Sequence, residues 1–171
     1  MRLRVASITD ARRIAEVHIR SWQAAYRNQV PDAYLDSLSI DHREATWIGI
    51  IQEAELPSSG VFVIEDDNKV VVGFADITAS RDIDSTPSTG KVGAIYLLPE
   101  FWGVGYGWAL SERATESLRE AEYSTATLWV LGSNERARRF YERGGWGPDG
   151  AQKVEDRGTF SLYEVRYRRS L

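Results

Sequence analysis

Cysteine is absent from the 171 residues, and histidine occurs only twice, at His18 and His42. Without thiols the chain can form no disulfide, no thiolate metal site and no cysteine nucleophile. Two histidines, both in helix-like stretches, leave little material for a metal cage or a Ser-His-Asp triad. Long apolar runs are missing too, since none approaches the ~18 residues of a membrane span. The opening stretch, Met1 to Arg13, lacks the apolar core of a secretory signal, so the cytoplasm is the expected compartment. Charge of one sign is not concentrated either. The 21 basic and 25 acidic residues leave a net charge of −4, which argues against general nucleic-acid binding. Chemistry must then run on backbone amides, hydroxyls, carboxylates or a borrowed cofactor.

What is present suits a folded domain. Hydrophobic residues make up 43% and charged residues 27%, the balance of a globular chain rather than a disordered one. The length is sufficient to close a core without staples. No repeat or low-complexity tract divides the sequence, so residues 1–171 are expected to form a single domain.

Hydrophobic periodicity places the elements. Leu3 to Ala6 suggests a short strand, and Thr9 or Asp10 can cap the helix that carries Ile14, Val17, Ile19 and Trp22. Pro31 opens a short helix through Leu38, and Asp41 caps another bearing Ala45, Ile48 and Ile51. The period then shortens. Val61–Ile64 and Val70–Ile77 are β-rich and joined by Asp66, Asp67 and Asn68 as a hairpin. Ser80–Gly90 has the composition of a mobile loop. Val92–Leu98 is a strand, followed by a glycine cluster and a helix with the stripe Leu110, Ala114, Leu118 and Ala121. Thr125–Leu131 is a strand, and Asn134–Arg143 a helix stopped by Gly144 and Gly145. A weaker strand near Ala151–Val154 precedes a last one, Phe160–Tyr167. The order is β-α-α-α-β-β-β-α-β-α-β-β. Three successive strands without helices exclude a purely parallel doubly wound sheet and favour a mixed α+β sheet with helices on both faces.

The most informative segment runs from Tyr96 to Leu110. Gly103, Gly105 and Gly107 alternate at the mouth of a helix, directly after a strand. Missing Cβ atoms there let backbone N–H groups close on an anion, and the helix N-terminus adds partial positive charge. A pyrophosphate is a natural guest. The dinucleotide fingerprint fails, because Trp108 stands where its third glycine belongs, and no Gly-Lys-Ser/Thr closes a P-loop. A glycine turn that serves only tight packing is the competing reading. Downstream, the seven-residue step from Asn134 to Tyr141 returns to within ~20° of one helical direction. An amide and a phenol thus share a helix face. Singly, Asn134 would be an N-cap and Tyr141 a core aromatic. Their joint occurrence behind the turn tips the balance towards a site.

The segment from Val92 to Trp146 resembles the central motifs of the GNAT superfamily of acyl-CoA-dependent N-acetyltransferases. The family's Gln/Arg-x-x-Gly-x-Gly/Ala turn is matched by Trp102, Gly103, Val104, Gly105, Tyr106 and Gly107, preceded by Pro99 and Glu100. Its Asn-x-x-Ala-x-x-Phe-Tyr-x-x-x-Gly-Phe/Trp pattern is matched by Asn134, Ala137, Phe140, Tyr141, Gly145 and Trp146. Trp22, Ala25, Tyr26, Pro31 and Leu35 also resemble the N-terminal part of many members. The resemblance implies a mostly antiparallel sheet of about seven strands, splayed between the fourth and fifth, with acetyl-CoA in the gap and no metal. It further implies pyrophosphate binding by the amides of Gly103, Val104, Gly105, Tyr106, Gly107 and Trp108. Backbone of Tyr96, Leu97 and Leu98 would pair with the pantetheine arm, Asn134 would contact it, and Tyr141 would protonate the departing thiolate. The partner would be a small-molecule or peptide amine, and dimers are common among members.

Two departures stand out. Trp102 replaces the Gln/Arg that heads the turn, and Lys91 stands where many members carry a glutamate on the fourth strand. The general base is then open between Asp76, Glu16 and a water chain, with Asp76 the best placed. A phenol at the sulfur can act as general acid, and a strand N–H can hold the developing oxyanion. With no cysteine, direct attack by the amine is favoured over an acyl-enzyme. Trp22 and Tyr26 are the candidate acceptor residues, although four-residue spacing on a helix is also ordinary packing. Asp82 and Asp84 are expected as solvated loop charges, and Arg166, Arg168 and Arg169 as marks of a soluble edge strand. The leading expectation is acetyl transfer to a primary amine; Lys91 keeps open a non-catalytic acyl-CoA-binding module, and a protein N-terminal or lysine acetyltransferase would differ only in its acceptor.

Overall fold

In the computed structural model, which describes the whole chain Met1–Leu171, β1 (Arg2–Val5) leads into α1 (Ala11–Tyr26), α2 (Asp32–Asp36) and α3 (Ile40–Gln52). Three strands follow, β2 (Gly60–Glu65), β3 (Val71–Ala79) and β4 (Thr89–Leu97). The chain ends with α4 (Tyr106–Glu120), β5 (Thr125–Leu131), α5 (Glu135–Arg143), β6 (Gly147–Asp156) and β7 (Ser161–Ser170). The element order is the one the periodicity predicts. All seven strands join one sheet in the order β1-β2-β3-β4-β5-β7-β6.

The feature that matters for function is the central pair. β4 and β5 are the parallel neighbours, as a strand–helix–strand crossover through α4 demands, and the other pairs are antiparallel. Their pairing covers Thr89–Lys91 against Thr125–Thr127 and then ends. Beyond Lys91 the strands diverge, so the sheet is splayed between its fourth and fifth strands. Helices lie on both faces. Phe74 and Tyr96, opposite one another in register, meet His18 of α1 at ring-centroid distances of 5.8 and 4.8 Å. A Cβ placed on Gly90 would instead strike Leu118 of α4.

Burial explains why these helices form here. Ile14 and Val17 of α1, and Leu110, Ala114 and Leu118 of α4, are fully enclosed against Phe62, Phe74 and Leu128 of the sheet. Burying each large side chain contributes about 1.5–3 kcal/mol. A second, smaller core joins Tyr26, Val30 and Leu35 to Leu131 and Leu162. It spans the open end of the gap, tying the α1–α2 corner to β5 and β7.

Several local expectations change. Asp10 does not cap α1 with its side chain; it accepts from the Ser7 N–H at 2.8 Å and pairs with Arg4 at 2.7 Å. Ser39 rather than Asp41 caps α3, its Oγ accepting from the His42 N–H. β4 starts earlier, at Thr89, because Thr89–Lys91 have partners on both sides, in β3 or its flanking loop and in β5. β6 runs over ten residues, with its pairing interrupted between Pro148 and Gln152.

The expectations for the basic strand and the acidic loop are overturned together. β7 is an interior strand between β5 and β6, not an edge. Arg166 is only 5% exposed and engages Asp84 at 2.6 Å, Asp149 at 2.8 Å and Asp82 at 3.3 Å. Asp82 also accepts from the Trp129 Nε1–H. The 80–88 loop is therefore strapped across β5 and β7 by a buried guanidinium, because Arg166 has no other way to satisfy its charge there. Composition alone conceals this.

Candidate active site

The glycine turn sits between β4 and α4, and its three glycines have two different reasons. Gly103 and Gly105 adopt φ of +80° and +96°, the left-handed region, and a Cβ at either would meet nothing within 4 Å. They are glycines for conformation. Gly107 has ordinary φ, but its Cβ would lie 3.3 Å from Leu97 Cδ1 and 3.6 Å from Phe140 Cε2. It is a glycine for space, where α4 presses against β4 and α5. Gly105 serves as N-cap, so the Tyr106, Gly107 and Trp108 amides open the helix without intrahelical acceptors. Val104 and Trp108 are exposed.

Trp102 precedes the turn with a fixed ring. Its Nε1–H donates to the Leu97 carbonyl at 2.9 Å, an oxygen that also accepts from Ser21 Oγ at 2.6 Å. The Arg136 guanidinium covers the indole, 3.2 Å from the ring centroid. Leu98 donates its N–H to Val72 on the β3 side, so that group faces away from the gap.

Inside the splay lies a cavity of about 160 Å³. Val92 to Leu97 of β4 and Leu128 to Leu131 of β5 form its walls, and Asn134, Ala137 and Tyr141 of α5 line it together with Trp22 and Tyr26 of α1. Asn134 caps α5 by accepting from the Ala137 N–H at 3.1 Å. Tyr141 is buried, and burial holds its phenol well above the ordinary tyrosine range, with Tyr26 and Asp76 adding in the same direction. Tyr26 and Tyr96 are raised as well, again chiefly by burial. All three phenols are protonated at neutral pH. The Trp22 and Tyr26 rings meet edge to face at 5.0 Å, so packing and cavity lining are both true of them.

Asp76 lies just behind the β4 wall. It opposes Ala94, and the register skips Gly93, leaving a bulge that points β4 backbone towards the cavity. A Cβ on Gly93 would collide with the Asp76 carboxylate, so the missing side chain is what admits the acid. Burial pushes the Asp76 pKa up to about 7, with the Lys91 cation pulling in the opposite direction. Lys91 thus stands at the fork, close enough to act on both Asp76 and Asp82. Glu16 is occupied by Arg13 at 2.8 Å and does not line the cavity.

Sequence reasoning missed the opposite rim. Glu155, Arg157, Leu162 and Glu164 of β6, β7 and their connection line the same cavity. Glu164 pairs with Lys153 at 3.0 Å and Glu155 with Arg157 at 2.8 Å. Nothing in their spacing signals a site, since the distant gap supplies the other wall. His18 is buried behind Tyr96, and desolvation depresses its pKa to about 3, so it packs as a neutral ring. No group of three or more His, Asp or Glu side chains is arranged to hold a metal ion.

The comparisons with known proteins agree with this geometry. The model described as "Acetyltransferase (GNAT) family" matches residues 16–146. An uncharacterized N-acetyltransferase of Bacillus subtilis, YuaI, is 33% identical over 132 residues, 77% of this chain and 72% of that protein. Among solved structures, the PaiA N-acetyltransferase of Thermoplasma acidophilum in complex with coenzyme A superposes with a TM-score of 0.73 at 18% identity, covering 99% of this chain and 98% of that one. The YncA acetyltransferase of Salmonella typhimurium with its cofactor acetyl-CoA gives a TM-score of 0.74 at 21% identity, covering 100% and 94%.

Proposed function

Because the chain belongs to the GNAT family of acetyltransferases, we propose that it moves the acetyl group of acetyl-CoA onto a primary amine by direct attack in a ternary complex. The observation that carries this is the cavity at the splay, flanked by a glycine turn and lined by Asn134 and Tyr141. The residues fit the donor. Two left-handed glycines leave the α4 amides uncovered for a diphosphate. The β4 edge and Asn134 offer polar groups along a narrow channel. Acetyl-CoA supplies the activated carbonyl and the thiolate leaving group.

Tyr141 keeps its Oη proton at neutral pH because burial raises its pKa, and it delivers that proton to the departing sulfur. Backbone N–H at the Gly93 bulge supports the carbonyl oxygen as charge develops. Asp76, with a pKa of about 7, accepts the amine proton directly or through water. Its acidity is matched to that task near neutrality, as a carboxylate of ordinary pKa would not be. The acceptor enters between Trp22, Tyr26 and the Glu155–Glu164 rim, a walled opening that favours a small amine over an extended peptide.

The test is acetyl transfer from acetyl-CoA to a panel of small primary amines and short peptides, with thiol release and acetylated product measured together. Stoichiometric product on small amines is expected. Binding of acetyl-CoA with no product on any amine would replace this reading with a non-catalytic binding module. Turnover on peptides alone would reverse the assigned acceptor class.

A further inference from the structure

Trp102, packed at the margin of the main core, forms with Arg136 a pair that the transfer chemistry does not use. The indole is locked by its bond to the Leu97 carbonyl, and the guanidinium lies flat on the ring at 3.2 Å. A stacked arginine keeps its in-plane N–H donors free for an anion. No carboxylate claims them. The adjacent Glu135 pairs with Arg139 at 3.4 Å, and Glu142 accepts from the Tyr167 hydroxyl at 2.7 Å. Arg138, two residues on, is by contrast tied to Tyr167 Oη and the Gly132 carbonyl. Most shifted arginines in this chain are raised by acidic partners, whereas Arg136, exposed at the surface and without a carboxylate partner, is lowered by partial desolvation.

Position gives the pair its meaning. Trp102 and Arg136 line the transfer cavity and also an adjoining open cavity of about 400 Å³ that includes Gln29, Ser133 and Glu135. They stand at the threshold between the two. Trp102 is the residue immediately before the glycine turn, and the turn itself, Gly103 to Trp108, contains no cationic side chain. Helix amides alone offer a diphosphate only partial charges. A guanidinium stacked on the residue that precedes the turn can supply a full one, in a planar fork that suits phosphate oxygens.

We propose that Arg136, seated on Trp102, binds the diphosphate of the donor and thereby supplies the side-chain charge that the glycine turn lacks. The proposal rests on the acetyl-CoA reading above. It also gives Trp102 a function: the indole is the platform that aims a cation from α5 at the turn before α4.

Calorimetric titration of the full chain and its Arg136→Gln and Arg136→Lys variants with CoA and with dephospho-CoA, which lacks the ribose phosphate, tests this. S-Acetylpantetheine, which has no diphosphate, is assayed in parallel as acetyl donor. Arg136→Gln is expected to weaken both nucleotides by about tenfold, with Arg136→Lys falling between. Turnover with S-acetylpantetheine should stay at the wild-type level. Unchanged affinity in Arg136→Gln overturns the proposal, as does a loss seen with CoA but not dephospho-CoA, which would move the contact to the ribose phosphate. An equal loss with S-acetylpantetheine would reduce Arg136 to a structural residue and overturn it too. Wild-type protein that binds neither nucleotide would instead overturn the acetyl-CoA reading itself.

Discussion

At the α4 end of the cavity the protein presents backbone, whereas at the β6–β7 rim it presents charged side chains. The turn has no side chain at Gly103 or Gly105, and its geometry is set by these two left-handed residues. The rim is the reverse: Glu155, Arg157 and Glu164 reach the cavity, each already in an ion pair. A site made of amides is fixed by main-chain conformation and tolerates neighbouring side-chain changes. A site made of ion-paired side chains can be retuned by single substitutions while the strands beneath stay in place. The two ends suit a fixed donor and a selectable acceptor.

Five substitutions separate these two kinds of construction. The largest effect is expected at the junction between them. Tyr141→Phe removes a protonated phenol from the gap and should lower turnover by about 10²–10⁴-fold, the usual scale for general acid catalysis, with donor affinity held within a factor of about two. Equal turnover in the two proteins would remove Tyr141 from the chemistry.

At the backbone end, the two classes of glycine should part company. Gly105→Val forces a β-branched residue into the left-handed region, and donor affinity should fall by about one to two orders of magnitude. Gly107→Ala meets only the movable ends of Leu97 and Phe140, at 3.3 and 3.6 Å. It should cost about 1 kcal/mol of stability and little affinity. Similar binding losses in both variants would mean that the turn acts through packing and not through its amides.

Asp76 gives a pH signature. Its carboxyl titrates at about 7, so it is protonated and unable to accept a proton on the acid side, and turnover should rise as pH passes through that value. Asp76→Asn should lower turnover roughly tenfold and flatten that limb. Linkage has the opposite sign for stability. A carboxyl whose folded pKa exceeds its unfolded value weakens the fold as pH rises above about 4. The asparagine variant should therefore melt higher than wild type at pH 8. A variant that loses activity and stability together would mark Asp76 as structural. The smallest change belongs to the rim: Glu164→Gln should shift the amine KM by about two- to fivefold and leave donor binding alone. A shift in donor affinity would erase the distinction between the two ends.

Much of this was visible in the letters because local rules fix it. The alternating glycines after an aliphatic strand predict a turn with uncovered amides, and the step from Asn134 to Tyr141 predicts a shared helix face. Both depend on residues within about two helical turns of one another. The rim was invisible, because Glu164 and Leu162 become part of the site only when β7 inserts between β5 and β6. Arg166 was misread for the same reason. Its alternation with Arg168 looks like a solvent edge until Asp82 and Asp84 of the 80–88 loop and Asp149 of β6 converge on it. Trp102 reads as a departure from the family's turn, and only the fold shows the Arg136 guanidinium of α5 lying on its ring.

The sequence by itself determined the element order, the absence of thiol chemistry, the conformation of the turn and the helical face of the phenol. These follow from composition, period and φ preference, which act over a few residues. The tertiary structure decided where β4 and β5 part, which carboxylate lies behind the β4 wall and what its pKa becomes. Those are consequences of burial and register: Asp76 is an ordinary strand carboxylate until the missing Cβ at Gly93 lets it pack, partly buried, against β4.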